Sequence, residues 1–275
     1  MSDRELRAVR TLTRALPRVR GAGIVGNWLA RWYNRRPRDP VLAEVHGFTM
    51  ALDPSENVDG QLLFQPQLYD RRELAALAGH LRPGDTFVDV GAHIGLYSLF
   101  AAARVGPHGR VVALEADPEN AARLRANVAR NAGANTVVRV VEAGVSDREE
   151  VLRLGLNTAG NRSGNSFLND GPDAVEVRCR PLVELLRDAD VGRVDGMKMD
   201  IEGFEHRVLG AFFEHAPESL WPRMLILEYQ PAWDARAGGS SLALALDRGY
   251  RERVRAGINR VLVREARGED RWPGR

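Results

Sequence analysis

Residues 86–95, Thr-Phe-Val-Asp-Val-Gly-Ala-His-Ile-Gly, constrain the fold more than any other stretch of the chain. Thr86 to Val90 is a short apolar run rich in β-branched side chains. It follows a turn signal, Arg82-Pro83-Gly84-Asp85, and stops at Gly91. Leu96, Phe100, Ala101 and Ala103 then continue at helical spacing. A strand, a tight glycine loop and a helix in that order open an α/β nucleotide-binding sheet. Glycines let the backbone approach a ligand closely, and a helix N-terminus offers unpaired N–H groups and the positive end of a dipole. A purely structural strand–turn–helix carries the same glycines, so further motifs must decide the ligand.

The dinucleotide fingerprint Gly-x-Gly-x-x-Gly is not matched. Gly91 and Gly95 are separated by Ala92, His93 and Ile94, and Asp89 stands at the strand end. An acid there is a poor neighbour for a pyrophosphate and a good one for a cationic ligand. S-adenosylmethionine (SAM) carries an ammonium and a sulfonium and no phosphate. The Asp-x-Gly-x-x-x-Gly pattern of residues 89–95 resembles the first motif of Rossmann-like class I methyltransferases.

Residues 111–118 form a second strand that ends in Glu115-Ala116, 20 residues after Gly95. A carboxylate at that place can accept both ribose hydroxyls. Asp117-Pro118-Glu119-Asn120 then opens a helix, with acid at its N-terminus and Leu124 and Val128 facing inward. Thr136 to Val141 reads as the third strand. The segment after it, 142–147, should lie beside the adenine, with small residues at 143–145 admitting a planar base and Ser146 or Asp147 reaching its amino group.

A second diagnostic stretch is Met197-Lys198-Met199-Asp200-Ile201-Glu202-Gly203-Phe204-Glu205. Val194 to Asp200 reads as the fourth strand and Glu202 onward as its helix. Asp200 then sits at the carboxyl edge of the sheet, where doubly wound folds bind ligands. Asp200, Glu202 and Glu205 beside Lys198 form a dense charge group, used either for structural ion pairing or for chemistry. Glu205 also suits a role in supporting the helix. Residues 223–229 are a fifth strand, ending at Glu228.

The remaining chain frames this core. Residues 1–38 suggest two short amphipathic helices, read as a cap rather than a nucleic-acid arm or membrane helix. Residues 41–53 read as a hairpin turning at His46-Gly47. Residues 54–70 are loop-like and end near Tyr69, which could equally reach the cofactor pocket or be a buried aromatic, and Glu73 to Leu81 is a helix. Residues 151–180 are irregular, with strand pieces at 151–154 and 175–179 and a polar segment, 157–166, read as a flap over the substrate. Pro181–Leu186 and Leu242–Leu246 are helical. Tyr250–Val254 and Asn259–Val263 form a closing antiparallel pair, and the tail from Arg264 is charged and frayed. This divides the chain into an extension, 1–64, and a main domain, 65–275.

Composition narrows the reading. A formal net charge of +2 implies no globally acidic or basic partner. Lys198 is the only lysine in an arginine-rich chain, a bias that suggests a GC-rich genome. The lone Cys179 excludes an internal disulfide and a cysteine-built metal site. No run of about 18 apolar residues is present to span a bilayer. No signal-peptide pattern is evident, so a cytoplasmic setting is expected, with no stable membrane insertion.

The motifs at 88–95, 114–118 and 197–205 together resemble the FkbM family of SAM-dependent methyltransferases, across about residues 65–255. His93 stands where that family usually has asparagine, and Asp70 where a glutamate after the tyrosine is common. The resemblance implies an α/β, doubly wound, seven-stranded Rossmann-like sheet with a final antiparallel pair. It also implies O-methylation of a hydroxyl on a sugar or natural-product-type small molecule. The expected cofactor residues are Tyr69, Asp89, Gly91, Ala92, His93, Gly95 and Leu96 around the methionine portion, Glu115 and Ala116 at the ribose, and Gly144, Val145 and Ser146 near the adenine. Asp200 is the expected base or hydroxyl-orienting group, supported by Lys198 and Glu202. Magnesium held by Asp200 and Glu228 is the less favoured alternative. N-methylation, a nicotinamide oxidoreductase and a catalytically idle SAM-binding protein are the rival readings. The oligomeric state, a homodimer included, stays open.

Overall fold

The computed structural model describes residues 3–14, 39–157, 162–168, 173–236 and 238–264. The expectations for residues 15–38, 158–161 and the tail beyond 264 lie outside the described residues. Two compact units divide the chain: Met1–Arg71 with Asn157–Gly164, and Arg72–Leu156 with Asn165–Arg275.

The smaller unit holds α1 (Asp3–Arg14), β1 (Val41–Val45), β2 (Phe48–Leu52) and α2 (Asn57–Phe64). The β1–β2 hairpin turns where expected. His46 (φ 51°) and Gly47 (φ 89°) both take positive φ, as a two-residue hairpin turn with the strands' own twist demands. Helix α2 corrects the loop expected over 54–70. Pro54, Ser55 and Gly60 look like loop residues, but Leu62, Leu63 and Phe64 are fully buried and Asp59 accepts the Asp53 N–H at 2.7 Å. Tertiary burial outweighs local propensity here.

The larger unit begins with α3 (Arg71–His80), β3 (Thr86–Val90), α4 (Leu96–Val105), β4 (Arg110–Glu115), α5 (Pro118–Ala129), α6 (Ala134–Val137), β5 (Val138–Glu142), β6 (Gly144–Ser146) and β7 (Glu150–Leu154). It continues with β8 (Val175–Pro181), α7 (Leu182–Asp188), β9 (Gly196–Met199), α8 (Glu205–His215) and β10 (Met224–Glu228). It closes with α9 (Pro231–Arg236), α10 (Ser241–Asp247), β11 (Tyr250–Ala256) and β12 (Asn259–Arg264).

Seven strands form one sheet in the order β11-β12-β10-β9-β3-β4-β5. The four pairings that join the five strands from β10 to β5 are parallel, and β12 runs antiparallel to both β10 and β11. This is the doubly wound sheet expected from the sequence. The chain moves outward from β3 through β4 to β5, then returns to place β9 on the other side of β3. Connections diverge there, so a crevice opens at the carboxyl ends of β3 and β9.

Alternation along the strands builds the core. Val88, Val90, Val112, Leu114, Met197, Met199, Leu225 and Leu227 belong to one buried cluster with Leu185 and Leu186 of α7 and Val208, Leu209 and Phe212 of α8. The intervening residues point to the opposite face, and they include Asp89 and Lys198, paired across β3 and β9.

A second, three-stranded sheet, β6-β8-β7, was not anticipated as a sheet, although two of its strands were. The helix after the fourth strand also starts later than expected. Residues 201–204 form a loop in which Glu202 (φ 53°) and Gly203 (φ 106°) take left-handed conformations that no helix contains. Helix α9 was not foreseen: it is six residues long and begins at Pro231. No helix among the described residues is long and apolar enough to cross a membrane.

Candidate active site

Four adjacent parallel strands end in the residues that the sequence singles out. β3 leads into Gly91, β4 ends at Glu115, β9 leads into Asp200 and β10 ends at Glu228.

Gly91 joins two of them. Its φ is +80°, and a Cβ there would lie 1.9 Å from the Asp200 carbonyl oxygen. The glycine loop and the acidic loop therefore touch through their main chains, and only glycine permits it. Gly95 (φ 96°) precedes α4, whose first residue, Leu96, is buried together with Ala92. His93 takes a positive φ of 50°, and its N–H donates to Glu115 Oε2 at 2.7 Å.

Glu115 is held on both sides. Oε1 accepts the Asp117 N–H at 2.9 Å while Oε2 takes that of His93. Burial pushes its carboxyl up to about 7, against the lowering effect of those two hydrogen bonds. Asp117 caps α5 through the Glu119 N–H at 2.9 Å and accepts Asn165 Nδ2 at 2.8 Å, and Ala116 lies partly buried beside it.

Asp89 lies beneath the loop, 1% exposed. Its Oδ2 accepts Ser98 Oγ at 2.6 Å, and its Oδ1 is buried without a hydrogen-bond partner among the described residues. Burial raises its pKa despite the nearby Lys198 ammonium. Lys198 Nζ bonds Asp200 Oδ2 at 2.6 Å and sits 5.0 Å from the centre of the Tyr97 ring. A cation over an aromatic face is stabilised most where water is excluded.

The acidic loop is organised by Glu205. Its Oε1 accepts the Ile201 N–H at 2.7 Å and its Oε2 the Gly203 N–H at 2.9 Å. Its role is thus larger than helix support, because it shapes the turn that carries Asp200 and Glu202. One carboxylate oxygen from each of Asp200, Glu202 and Glu228 lies within 4.8 Å of the others. Their titrations separate. Burial works to raise Asp200, but Lys198 and a hydrogen bond from Glu228 outweigh it, and Asp200 lies below its ordinary value. Burial, then the Asp200 charge, pushes Glu202 up to about 8 and Glu228 up to about 10. The pair is thus biased toward a charged Asp200 and a protonated Glu228.

The expected adenine contacts need correction. Residues 144–146 are a strand of the second sheet rather than an open loop. A Cβ on Gly144 would meet Cys179 Sγ at 2.4 Å and Phe167 Cζ at 3.0 Å, so that glycine admits protein packing. Val145 is part of the main core. Ser146 is 1% exposed and donates to Glu150 Oε1 at 2.6 Å. Asp147 is taken by Arg207, whose Nε donates to Oδ1 at 2.7 Å. Tyr69 belongs to the smaller unit. Sequence reasoning missed Ser98, which the inward face of a helix after Gly95 could have pointed to. It also missed Tyr97, for which the local pattern holds no signal.

The sequence profile of the Methyltransferase FkbM domain matches residues 89–252. This chain belongs to the FkbM methyltransferase family. The FkbM match opens on Asp89 and takes in every strand-end residue described above, and Tyr69 precedes it. Among curated relatives, the 31-O-demethyl-FK506 methyltransferase FkbM of Streptomyces tacrolimicus is 30% identical over 193 residues, 60% of this chain and 72% of that protein. The AMB antimetabolite synthetase AmbE of Pseudomonas aeruginosa is 27% identical over 219 residues, 67% of this chain, and this chain spans 10% of its length. Among solved structures, the methyltransferase FkbM from Methylobacillus flagellatus aligns with a TM-score of 0.39 at 21% identity, covering 88% of this chain and 60% of that one.

Proposed function

We propose that this FkbM-family protein transfers a methyl group from SAM to a hydroxyl of a small molecule, of sugar or natural-product type, with Asp200 as the base. The observation that carries the reading is the placement of Asp200 at the sheet edge, against the Gly91 main chain and bonded to Lys198, with a second carboxyl beside it. Asp200 is held by Lys198 at 2.6 Å and lies below its ordinary pKa, while burial and the Asp200 charge raise Glu228 beside it. Pairs of acids whose titrations are pushed apart are how one site separates acid from base.

The residues present fit SAM. Glu115 Oε1 and Oε2 are each fixed by one backbone N–H, at 2.9 and 2.7 Å. Each oxygen keeps a second lone pair, as two ribose hydroxyls require. The loop from Gly91 to Gly95 carries acidic neighbours and no basic side chain other than His93, which suits a cationic ligand better than a pyrophosphate. When bound, SAM supplies a methyl on sulfonium sulfur, whose C–S bond breaks as the bond to the acceptor oxygen forms.

Asp200 takes the acceptor's proton, and Lys198 orients the carboxylate. Gly91 holds that carboxylate's backbone against the cofactor loop, and positioning of this kind accounts for most of the rate in an in-line displacement. The S. tacrolimicus relative is named for methylation at an oxygen, which supports an oxygen acceptor here. The test is transfer of radiolabelled methyl from SAM to a panel of hydroxylated small molecules by wild type and Asp200→Asn. Product from wild type and none above background from the variant supports the assignment. Equal rates would remove Asp200 as base.

A further inference from the structure

The acidic loop is bordered by an aromatic residue that methyl transfer leaves unused. Gly203 follows Glu202, and a Cβ built on it would lie 2.3 Å from Leu168 Cδ1 and 3.5 Å from Trp233 Cβ. Leu168 and Trp233 therefore flank the loop that carries Asp200 and Glu202. Trp233 is also tied to the end of β10. Its N–H donates to the Gln230 carbonyl at 3.0 Å, and Gln230 Nε2 donates to Glu228 Oε1 at 3.1 Å. Leu168 is fixed from the other side. Ser166 Oγ donates to the Glu202 carbonyl at 2.7 Å and accepts the Leu168 N–H at 3.1 Å, and the Phe167 ring packs on Phe204 with centroids 5.2 Å apart. The half-buried Trp233 side chain, by contrast, makes no ring contact, cation contact or hydrogen bond among the described residues. Leu168 is 38% exposed. An indole in this state offers an apolar face with a polar handle, the composition of a small-molecule recognition surface.

We propose that Trp233 and Leu168 form the acceptor subsite, and that the acceptor is a non-aromatic, polyhydroxylated ring of the pyranose kind laid with one C–H face on the indole. Such a ring is amphipathic. Its C–H bonds line the two faces and carry a slight positive charge, which the negative face of an indole attracts. Its hydroxyls line the rim, where carboxyl oxygens accept them. The neighbouring acids supply those oxygens, one from each of Asp200, Glu202 and Glu228 within 4.8 Å of the others. A planar phenol would stack as well, but it brings a single donor to three carboxyls. The inference deepens the O-methyltransferase reading and rests on it for the chemistry at the bound hydroxyl, while the ring contact itself does not depend on it.

The test is saturation-transfer-difference NMR on the full chain, with and without S-adenosylhomocysteine. The probes are the methyl pyranosides of glucose, mannose and rhamnose, with sorbitol and catechol as comparators. The expected result is transfer to the ring C–H protons of one or more glycosides and none to sorbitol, which has the hydroxyls without the ring. Trp233→Gln keeps a helix-forming side chain and a donor but removes the ring, and it should weaken glycoside binding about fivefold or more. Trp233→Phe keeps an aromatic face and should retain most of the binding. Thermal melting and calorimetry with S-adenosylhomocysteine confirm that both variants fold. No transfer to any glycoside from folded wild type, equal binding by Trp233→Gln, or transfer to catechol in place of the glycosides overturns the proposal. Binding of S-adenosylhomocysteine without glycoside binding sinks the ring subsite alone. Glycoside binding without S-adenosylhomocysteine binding sinks the methyltransferase reading alone.

Discussion

The Glu115 carboxyl should make cofactor binding depend on pH. Its pKa without ligand is pushed by burial up to about 7, and ribose hydroxyls donate best to the ionised form. Below that pKa a proton must leave before both oxygens can accept. If the ionised form alone binds, affinity at pH 6 is about tenfold below that at pH 8, or about 1.4 kcal/mol at 1.36 kcal/mol per pKa unit. The assay is calorimetric titration with S-adenosylhomocysteine at pH 6, 7 and 8, in buffers of different ionisation enthalpy so that proton release is read directly. Glu115→Gln is the control of choice. It keeps the volume but leaves one of the His93 and Asp117 N–H groups without its acceptor, for about 1.5–3 kcal/mol of stability. Its weaker binding should be flat over the same range. Flat affinity in wild type, or an unchanged slope in Glu115→Gln, would refute both the ribose contact and the electrostatic argument.

Other consequences are as direct. Without ligand, Glu115 binds its proton more tightly folded than unfolded, so its contribution to stability is full below about 4.5 and lost as pH rises through about 7; Glu115→Gln should lose that part of the melting profile. Gly91→Ala places a methyl 1.9 Å from the Asp200 carbonyl and adds about 1–2 kcal/mol of left-handed backbone strain, so S-adenosylhomocysteine binding should be lost or the melting temperature lowered, and an unaffected variant would contradict the contact. Arg207→Ala removes the partner of Asp147 and Glu150, bonded at 2.7 and 2.6 Å. Urea denaturation should show a loss of about 1–3 kcal/mol, and an unchanged midpoint would reduce this network to ornament.

Much of the site was legible because its residues sit at strand ends, where local pattern and position coincide. Asp89, Gly91 and Gly95 mark one strand–loop–helix, Glu115 closes the next strand, and Asp200 and Glu228 close two more. Each is found beside an apolar run that specifies a buried parallel strand. The misreadings fall where a residue's use depends on a distant partner. Gly144 looked like room for a base, yet Cys179 and Phe167 fill that room. Ser146 and Asp147 looked like polar reach into a pocket, yet Glu150 and Arg207 hold them. Glu205 looked like a helix support, yet it shapes the loop before the helix.

The sequence by itself therefore determined the order of the seven strands of the main sheet, the sheet edge that carries the site and the family of the chain, because alternation and glycine turns are local properties. Tertiary structure alone decided which carboxyl is charged. Asp200, Glu202 and Glu228 are similar acids in the sequence. Burial, one lysine brought alongside at 2.6 Å and the repulsion of neighbours arriving from two strands set them apart, and those terms exist only once the chain has folded.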